Sequence, residues 1–410
     1  MRATANIAAL AIAAILLLSI TPTTTIHDGF DSDGRYYAAM SGVEGIPGLA
    51  ETTIKELSPW NQRVLIPYVV SKLLVDGLAG FLIVNQVSNL LVLLLLFFIL
   101  RHYTDNKPII FFTLLIYATV FWTIQFSIFS PFYIDSATMV FTCLIILLTL
   151  KRQTLLLVPT IVISSLAKES LPLLIVFSAY YLFFKNVTLR EISLQNLKKP
   201  LLFFGFTTIT VLVLREVLNI QTNPLLLFMP GWQVISFFKN IDALLVLLQA
   251  AFSGTGVLMI IALLDWRFCA DWIKSNPEWI VYFFLCIYLL FGGHDKARLF
   301  LPLLPMLAIL FSKILVQVEG HNSKIKFLAF LNLMFFANMI FGGLLFGLEN
   351  TETYLAKLVP EHSSGTYLPY LMLNIGVLLT IFLYIWLSKT RLASIESLKN
   401  SMAKQTGNYL

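Results

Sequence analysis

Charged residues are scarce in this sequence. Only 12% of its 410 residues are charged, whereas an ordinary soluble domain carries roughly 25%. Hydrophobic residues make up 58% of the chain, and the mean hydropathy is +0.83. This composition argues against an ordinary soluble enzyme and predicts a protein that crosses a membrane several times.

Cysteine is also rare, with three in the whole chain. Cys143 and Cys286 lie inside apolar runs, and Cys269 lies close to the Trp266-Arg267 pair. No CxxC pair or regular cysteine spacing is present, so a disulfide framework and a cysteine metal site are both excluded. The three cysteines are interpreted as small apolar residues.

A basic patch is missing, although the net charge is +6. The lysines and arginines are spaced between apolar runs, which excludes a nucleic-acid surface. Most of them fall in loops on the same side as both termini, and by the positive-inside rule that side is the cytoplasm. Internal repeats, coiled coils and appended soluble domains are absent too. The sequence therefore predicts one membrane domain, residues 1–390, and a short basic cytoplasmic tail, residues 391–410.

Long apolar runs are what the sequence has in abundance. Charged and Pro/Gly breaks delimit twelve of them, each long enough to cross about 30 Å of hydrocarbon directly or with tilt. They lie near 5–22, 81–100, 109–129, 133–150, 153–167, 170–184, 201–218, 243–264, 279–292, 298–316, 326–347 and 369–388. The predicted fold class is all-α, a polytopic transmembrane helical bundle of about 11–13 spans.

Two of these assignments have alternatives. The runs 153–167 and 170–184 are short enough to form one long kinked element instead. The run 5–22 resembles a secretory signal, but it ends in Thr21-Pro22-Thr23 rather than a small-residue cleavage site, which favours an uncleaved first helix.

The first outside loop, about residues 23–80, is the longest and the most polar. Tyr36 to Met40 and Val64 to Leu74 are predicted to form short helices in the membrane interface, because their aromatic and apolar residues suit the headgroup boundary.

Ionisable residues interrupt or border several apolar runs. A charge at the centre of a membrane helix costs about 2.5–3.5 kcal/mol, so such residues are retained for a reason. The predicted topology places them all on the outside face. They are Asp135, Lys168, Glu169, His294, Asp295, Lys296 and Arg298, on the same face as Asp28, Asp31, Asp33 and Arg63. We expect these groups to line one cavity. The alternative is that short turns simply need polar residues and that Lys168 and Glu169 pair with each other.

The residue types in this set suit group transfer from a lipid phosphate. Asp31 and Asp33 can present two carboxylates to a hard cation such as Mg²⁺ or Mn²⁺, or one of them can act as a general base. Lysine and arginine donors suit a phosphate, and arginine can bind it bidentately. The candidate donors are Lys168, Lys296, Arg298, Arg63 and Arg35.

Four stretches, in order, resemble the GT-C superfamily of integral membrane glycosyltransferases. Asp28 to Tyr37 is similar to the first-loop signature, in which an aspartate, a glycine and aromatic residues open a juxtamembrane helix. Pro59 to Pro67 resembles a stretch with an arginine, apolar residues and a proline. Leu166 to Ser170 is similar to a Lys-Glu-Thr/Ser turn, and Gly292 to Pro305 to a late Ala-Arg-apolar-Pro segment.

This resemblance implies a polyprenyl-phosphate sugar donor and a glycan, lipid or protein acceptor. It implies that a first-loop aspartate is the catalytic base, here Asp31 or Asp33 with Asp28 as a third candidate. Lys168, Lys296 and Arg298, with Arg63, would bind the donor phosphate. The supporting residues would be Glu169, Asp135, His294, Asp295, Arg35 and Tyr36. Many members carry a large soluble domain after the last span, and this chain departs from them because only about twenty residues follow.

The expected location is a bacterial plasma membrane, with the active site on the outer face. An endoplasmic reticulum membrane, with the active site facing the lumen, is the alternative that the sequence leaves open. A transporter or flippase of a lipid-linked sugar is the main alternative, and it predicts broken helices and repeated halves. A polysaccharide polymerase or ligase is a second alternative, and it favours a large late outside loop. The corresponding loop here, 349–368, is short.

Overall fold

The computed structural model describes residues 34–43, 46, 62–73, 77–120, 122–185, 187, 194–220, 241–290, 296–321, 375, 376 and 379. All regular secondary structure in these residues is helical. The α-helices are α1 Gly34–Met40, α2 Leu65–Lys72, α3 Gly77–Tyr103, α4 Lys107–Ala118, α5 Ile124–Phe129, α6 Asp135–Leu150, α7 Thr154–Ala167, α8 Leu174–Ala179, α9 Leu194–Val217, α10 Ile241–Thr255, α11 Val257–Leu264, α12 Trp266–Ser275, α13 Glu278–Leu290, α14 Lys296–Leu299 and α15 Leu304–His321. Short 3₁₀ turns at Leu171–Leu173 and Leu301–Leu303 precede α8 and α15, and a π-helical turn, Tyr180–Phe184, follows α8.

Two of the described helices are long and apolar enough to cross a membrane. They are α3 and the Leu197–Val217 part of α9. The shorter apolar helices have 10–17 residues and are Lys107–Ala118, Asp135–Leu150, Thr154–Ala167, Leu171–Phe184, Glu278–Leu290 and Leu301–Gln317. The all-α class is therefore confirmed for the described residues, whereas the number of membrane crossings stays a prediction. The predicted spans 5–22 and 326–347 lie outside the described residues, as does most of 369–388.

Two predicted spans are wrong as single helices. The run 109–129 is divided between α4 and α5, and there the hydroxyls of Thr119 and Thr123 donate to the nearby backbone carbonyls of Ile116 and Val120. Such local bonds compete with the helical ladder. The run 243–264 breaks at Gly256, whose φ of 57° is a conformation that glycine adopts without steric cost.

The runs 153–167 and 170–184 are two elements rather than one kinked helix. Helix α7 ends at Ala167, and the next residue, Lys168, has an extended backbone with φ −155° and ψ 130°. The chain then reverses into the 3₁₀ turn that starts at Leu171. This break turns the Lys168-Glu169 pair out of the helix and into a turn.

The main core lies where α3, α6, α7 and α15 meet. Helix α3 packs along α6, α6 packs along α7, and α15 packs against α3, α4 and α11. Leu96, Ile146, Phe177, Trp279 and Phe311 are among the side chains fully buried there. The three cysteines are buried without disulfides, in agreement with their interpretation as apolar residues.

A second, smaller core joins the short helices of the first loop to the bundle. Tyr37 and Ala38 of α1, Ile66 and Val70 of α2, Phe81 of α3 and Phe132 before α6 are buried together in it. The rings of Phe81 and Phe132 meet edge to face, with centroids 5.2 Å apart. The two predicted short helices are thus confirmed as helices, and their buried faces attach the loop to the start of α6.

Candidate functional site

Five charged side chains from four parts of the chain meet at one end of the bundle. Because α7 runs antiparallel to its neighbour α6, the residues after α7 return to the beginning of α6. Arg63 precedes α2, and Arg298 lies in α14. The side chains are only 11% to 20% exposed. We call Arg63, Asp135, Lys168, Glu169 and Arg298 the polar cluster.

Arg63 and Glu169 form the tightest contact in the polar cluster. Nε of Arg63 donates to Oε2 of Glu169 at 2.7 Å and Nη2 donates to Oε1 at 2.6 Å, which is a bidentate arrangement. Nη1 donates to the hydroxyl of Tyr37 in α1 at 2.6 Å. All three nitrogen atoms of this guanidinium are therefore engaged by the protein.

The electrostatics of this pair follow from its burial and its geometry. Burial opposes the charged form of both groups, but the opposite charge and the hydrogen bonds overcome it. The pKa of Arg63 is consequently raised well above its ordinary value, and Arg63 lowers the pKa of Glu169 to about 2. The alternative expectation that Lys168 and Glu169 pair with each other is wrong, because Glu169 pairs with Arg63.

Asp135 lies between the other two cations. Its Oδ1 is 3.6 Å from Nζ of Lys168, and its Oδ2 is 3.4 Å from Nε of Arg298. The guanidinium of Arg298 also stacks over the ring of Tyr133 at 4.4 Å. The contact to Lys168 is longer than a strong hydrogen bond. Burial lowers the pKa of Lys168, and the nearby charges of Arg63 and Arg298 act in the same direction.

Among the residues that the structure describes, three cations and two carboxylates form the polar cluster. The cations are Arg63, Lys168 and Arg298, and the carboxylates are Asp135 and Glu169. Because Glu169 is engaged by Arg63, Lys168 and Arg298 share the single carboxylate of Asp135. Two neighbouring cations of this type, Lys168 and Arg298, have the chemistry that binds anions such as phosphate.

The remaining candidates do not all fall in this site. Arg35 and Tyr36 lie in α1 and contact each other, with an Nη2-to-hydroxyl hydrogen bond of 3.0 Å and the guanidinium 4.9 Å from the ring centre. Lys296 begins α14, two residues before Arg298, and the structure describes its backbone. Asp28, Asp31, Asp33, His294 and Asp295 lie outside the described residues, and so does the possible metal site at Asp31 and Asp33. Within the part of the chain that is described, no three potential metal ligands come together.

Sequence reasoning missed Arg215, which lies beside the polar cluster. This side chain is 4% exposed in α9. Its Nη1 donates to the carbonyl of Ser165 at 3.0 Å and its Nη2 donates to Oε1 of Gln62 at 2.7 Å. The sequence did contain an indication of its importance. Arg215 lies inside the predicted span 201–218, where a charged residue is costly.

Comparisons of the chain with protein-family models, with curated proteins and with solved structures find no match. Function must therefore be argued from the chemistry of the polar cluster and from the residue patterns that resemble the GT-C superfamily.

Proposed function

We propose that this protein is a membrane glycosyltransferase of the GT-C type. It transfers a monosaccharide from a polyprenyl-phosphate donor to a glycan, lipid or protein acceptor on the non-cytoplasmic face. The observation that carries the proposal is the pairing of Lys168 and Arg298 with one shared carboxylate, at the end of the bundle that also contains α1. In the sequence, α1 directly follows the aspartate-rich segment 28–33.

Lys168 and Arg298 are the donor phosphate ligands in this proposal, with Lys296 beside them in the chain. Asp135 holds the two cations close together before the donor arrives, so the site is organised in advance. Stacking on Tyr133 further restricts the guanidinium of Arg298. Preorganised positive charge stabilises a departing phosphate more effectively than charge that must first move into place.

Arg63 has a different role from the phosphate ligand expected from the sequence. All three of its nitrogen atoms are bound by Glu169 and Tyr37. Arg63 therefore fixes the turn that carries Lys168 and joins it to α1. Glu169 supports the site by holding Arg63 rather than by contacting the donor.

The proposed reaction is a single inverting displacement. An aspartate of the segment 28–33, Asp31 or Asp33 with Asp28 as the third candidate, accepts the proton of the acceptor hydroxyl. The hydroxyl oxygen then bonds to the anomeric carbon of the sugar, and the bond between that carbon and the phosphate oxygen breaks. The lipid phosphate leaves with the electron pair and gains one negative charge, which Lys168 and Arg298 stabilise. Mg²⁺ or Mn²⁺ at Asp31 and Asp33 is compatible with this reaction but is not required by it.

A multi-pass arrangement in a bacterial plasma membrane, with the polar cluster facing outward, completes the proposal. The two long apolar helices support a membrane location. The opposite end of the bundle carries Lys151, Arg152 and Lys185, as the positive-inside rule expects for a cytoplasmic face.

The decisive experiment replaces Asp31, Asp33 and Lys168 separately, with Asp31→Asn, Asp33→Asn and Lys168→Gln, and assays sugar transfer in membranes. We expect the Lys168→Gln protein and at least one aspartate variant to lose most of their activity. Lys274→Gln is the matched control, because that lysine is exposed and lies outside the polar cluster. Full activity in both aspartate variants would exclude them as the base.

Mass spectrometry of lipid-linked and surface glycans from cells with and without the gene separates the proposal from the flippase alternative. A transferase predicts the loss of one sugar residue from the product glycan. Intact lipid-linked sugar retained on the cytoplasmic leaflet would instead support a flippase without transfer chemistry.

A further inference from the structure

Arg215 is a buried cation whose hydrogen-bond partners in the described structure are both neutral. One partner is the backbone carbonyl of Ser165 and the other is the side-chain amide of Gln62. Glu169 lies near enough to attract this charge but does not pair with it, and a buried charge without a paired carboxylate is costly. An apolar residue would therefore be expected at this place in a hydrophobic helix if the arginine had no role.

The position of Ser165 explains how the charge is tolerated. Ser165 lies in the last turn of α7, where backbone carbonyls lack partners inside the helix. The C-terminal end of a helix also carries partial negative charge, so a cation is favoured there. Arg215 therefore acts as a side-chain cap for α7, reaching it from a neighbouring helix.

Nη2 of Arg215 connects the end of α7 to the first loop through Gln62. Gln62 is adjacent in sequence to Arg63, and Ser165 precedes Lys168 by three residues. The two segments that Arg215 joins are also joined by the pair Arg63 and Glu169. The turn that carries Lys168 is thus held to the first loop by two arginines, one on each side.

Satisfaction of hydrogen bonds alone does not account for this arrangement. Nε of Arg215 and Nε2 of Gln62 are buried and have no hydrogen-bond partner among the described residues. Buried polar atoms of this kind are uncommon in folded proteins and are costly to keep. They show that the hydrogen bonds of Arg215 do not fully offset the cost of burying its guanidinium.

We propose that Arg215, acting through Gln62 and the C-terminal turn of α7, is a positioning residue that holds Lys168 against Asp135. That Lys168 in this position binds the donor phosphate rests on the proposed function. The positioning itself is a property of the fold and can be measured without any sugar.

The reactivity of Lys168 provides that measurement. Detergent-solubilised protein is treated with sulfo-N-hydroxysuccinimide acetate, and the initial acylation rates of Lys168 and Lys185 are determined by peptide mass spectrometry. Lys185 is an internal reference, because it pairs with Glu278 at the other end of the bundle. Local loosening raises the rate at Lys168 alone, whereas general unfolding raises both rates.

Arg215→Gln removes the hydrogen bonds to Ser165 and Gln62. Losing one typical hydrogen bond changes a local opening equilibrium about fivefold, so we expect the ratio of Lys168 to Lys185 acylation to rise at least about fivefold. Arg215→Lys keeps a cation at the end of α7 but cannot contact both segments as arginine does, so it should raise the ratio less. Glu216→Gln is the matched control, since Glu216 is the next residue in α9 and is exposed. It should leave the ratio unchanged.

An unchanged ratio in correctly folded Arg215→Gln protein would overturn the proposal. If that variant unfolds and both acylation rates rise, the proposal is tested with Gln62→Leu instead. This change removes the contact between Arg215 and residue 62 and leaves the contact between Arg215 and Ser165 in place. A ratio equal to that of the wild type in Gln62→Leu protein would then also overturn it.

Sugar transfer by the same proteins separates the two proposals. If positioning serves the reaction, Arg215→Lys should recover part of the activity that Arg215→Gln loses. If the acylation ratio changes but even the wild-type protein transfers no sugar, the positioning stands and the proposed function fails. If the wild type transfers sugar and the ratio does not change, only the positioning fails.

Discussion

The two ends of the bundle bury charge in different ways. At the end opposite the polar cluster, Nζ of Lys185 donates to Oε1 of Glu278 at 2.7 Å. The Glu278 side chain is 0% exposed and that of Lys185 is 25% exposed. This is one cation for one carboxylate at full hydrogen-bond contact. In the polar cluster, by contrast, Asp135 faces two cations at 3.6 and 3.4 Å.

The surroundings of the two sites differ as well. Next to Glu278, the indole of Trp279 donates to the hydroxyl of Tyr103 at 3.0 Å, and Trp272 packs against both rings. Lys185 also lies 4.7 Å from the ring centre of Tyr181. The pair is thus enclosed by aromatic packing. The polar cluster instead adjoins the short helices α1, α2 and α14 and the turn after α7.

The difference separates a charge pair that belongs to the packed bundle from the polar cluster that we propose as a site. A balanced pair in short contact, surrounded by packed rings, has no positive charge left for a ligand. In the polar cluster, two cations, Lys168 and Arg298, contact the same carboxylate at longer distances, and burying them costs stability. Substitutions at the two ends should therefore separate effects on stability from effects on activity.

The largest effect should come from Asp135→Asn. This change leaves two partly buried cations, Lys168 and Arg298, without their shared carboxylate. Removing one member of a buried ion pair typically costs about 3–5 kcal/mol, and we expect a value in that range together with loss of sugar transfer. Thermal unfolding in detergent and the transfer assay measure the two effects. Unchanged stability would show that the contacts to Asp135 are too long to matter.

Glu278→Gln should have the second largest effect on stability, and it tests whether the pair of Lys185 and Glu278 is only structural. Lys185 would lose its partner but is one-quarter exposed, so the cost should be about 3 kcal/mol, at the lower end of the same range. Sugar transfer per folded molecule should stay at the wild-type level, measured after normalising to the folded fraction. A loss of sugar transfer per folded molecule would mean that Lys185 and Glu278 take part in the reaction. The two ends of the bundle would then not differ in function.

Acid should weaken the pair of Arg63 and Glu169. The pKa of Glu169 is lowered to about 2 in the folded protein, so its stabilising contribution is complete above the ordinary carboxyl pKa of 4.5 and is lost as the pH falls from there towards 2. We expect a loss of about 2 kcal/mol over this interval, discounted because the group is partly exposed.

The control for that titration is Glu169→Gln, which removes the ionisable group. Unfolding curves of the wild type and the variant, collected at several pH values, should differ most near neutral pH and converge towards pH 2. A constant difference across the interval would contradict the assignment of the titration to Glu169.

The smallest effect should come from Lys274→Gln. Lys274 and Asp271 form an exposed pair at 3.2 Å within one turn of α12, with side chains 76% and 75% exposed. Pairs of this kind contribute less than about 0.5 kcal/mol, so the unfolding temperature should hardly change. A large effect would mean that α12 is covered by a partner in the membrane.

Much of the helical layout could be predicted from residue patterns. Hydrophobic runs located α3, α6, α7 and α13 to within a few residues, and α9 begins seven residues before its predicted run. The short helices of the first loop were anticipated from their interfacial composition. The breaks after Ala118 and at Gly256 were not. Both lie inside apolar runs, where hydropathy does not distinguish a continuous helix from two shorter ones.

The candidate site was predictable in its members but not in its contacts. Charges in unfavourable positions identified Asp135, Lys168, Glu169 and Arg298, and the predicted topology placed them on one side of the membrane. The same reasoning left open a pairing of Lys168 with Glu169, and it missed Arg215 although that arginine lies inside a predicted span.

The physical reason lies in the range of the interactions. Helix formation in an apolar segment depends on neighbouring residues, so the order of residues suffices to predict it. Arg63 and Glu169 are 106 residues apart, and Arg215 and Gln62 are 153 apart. Which cation meets which carboxylate depends on how α7 returns beside α6 and how α9 packs against α7. Only the packed bundle specifies that one carboxylate is satisfied by Arg63 while Lys168 and Arg298 share the other.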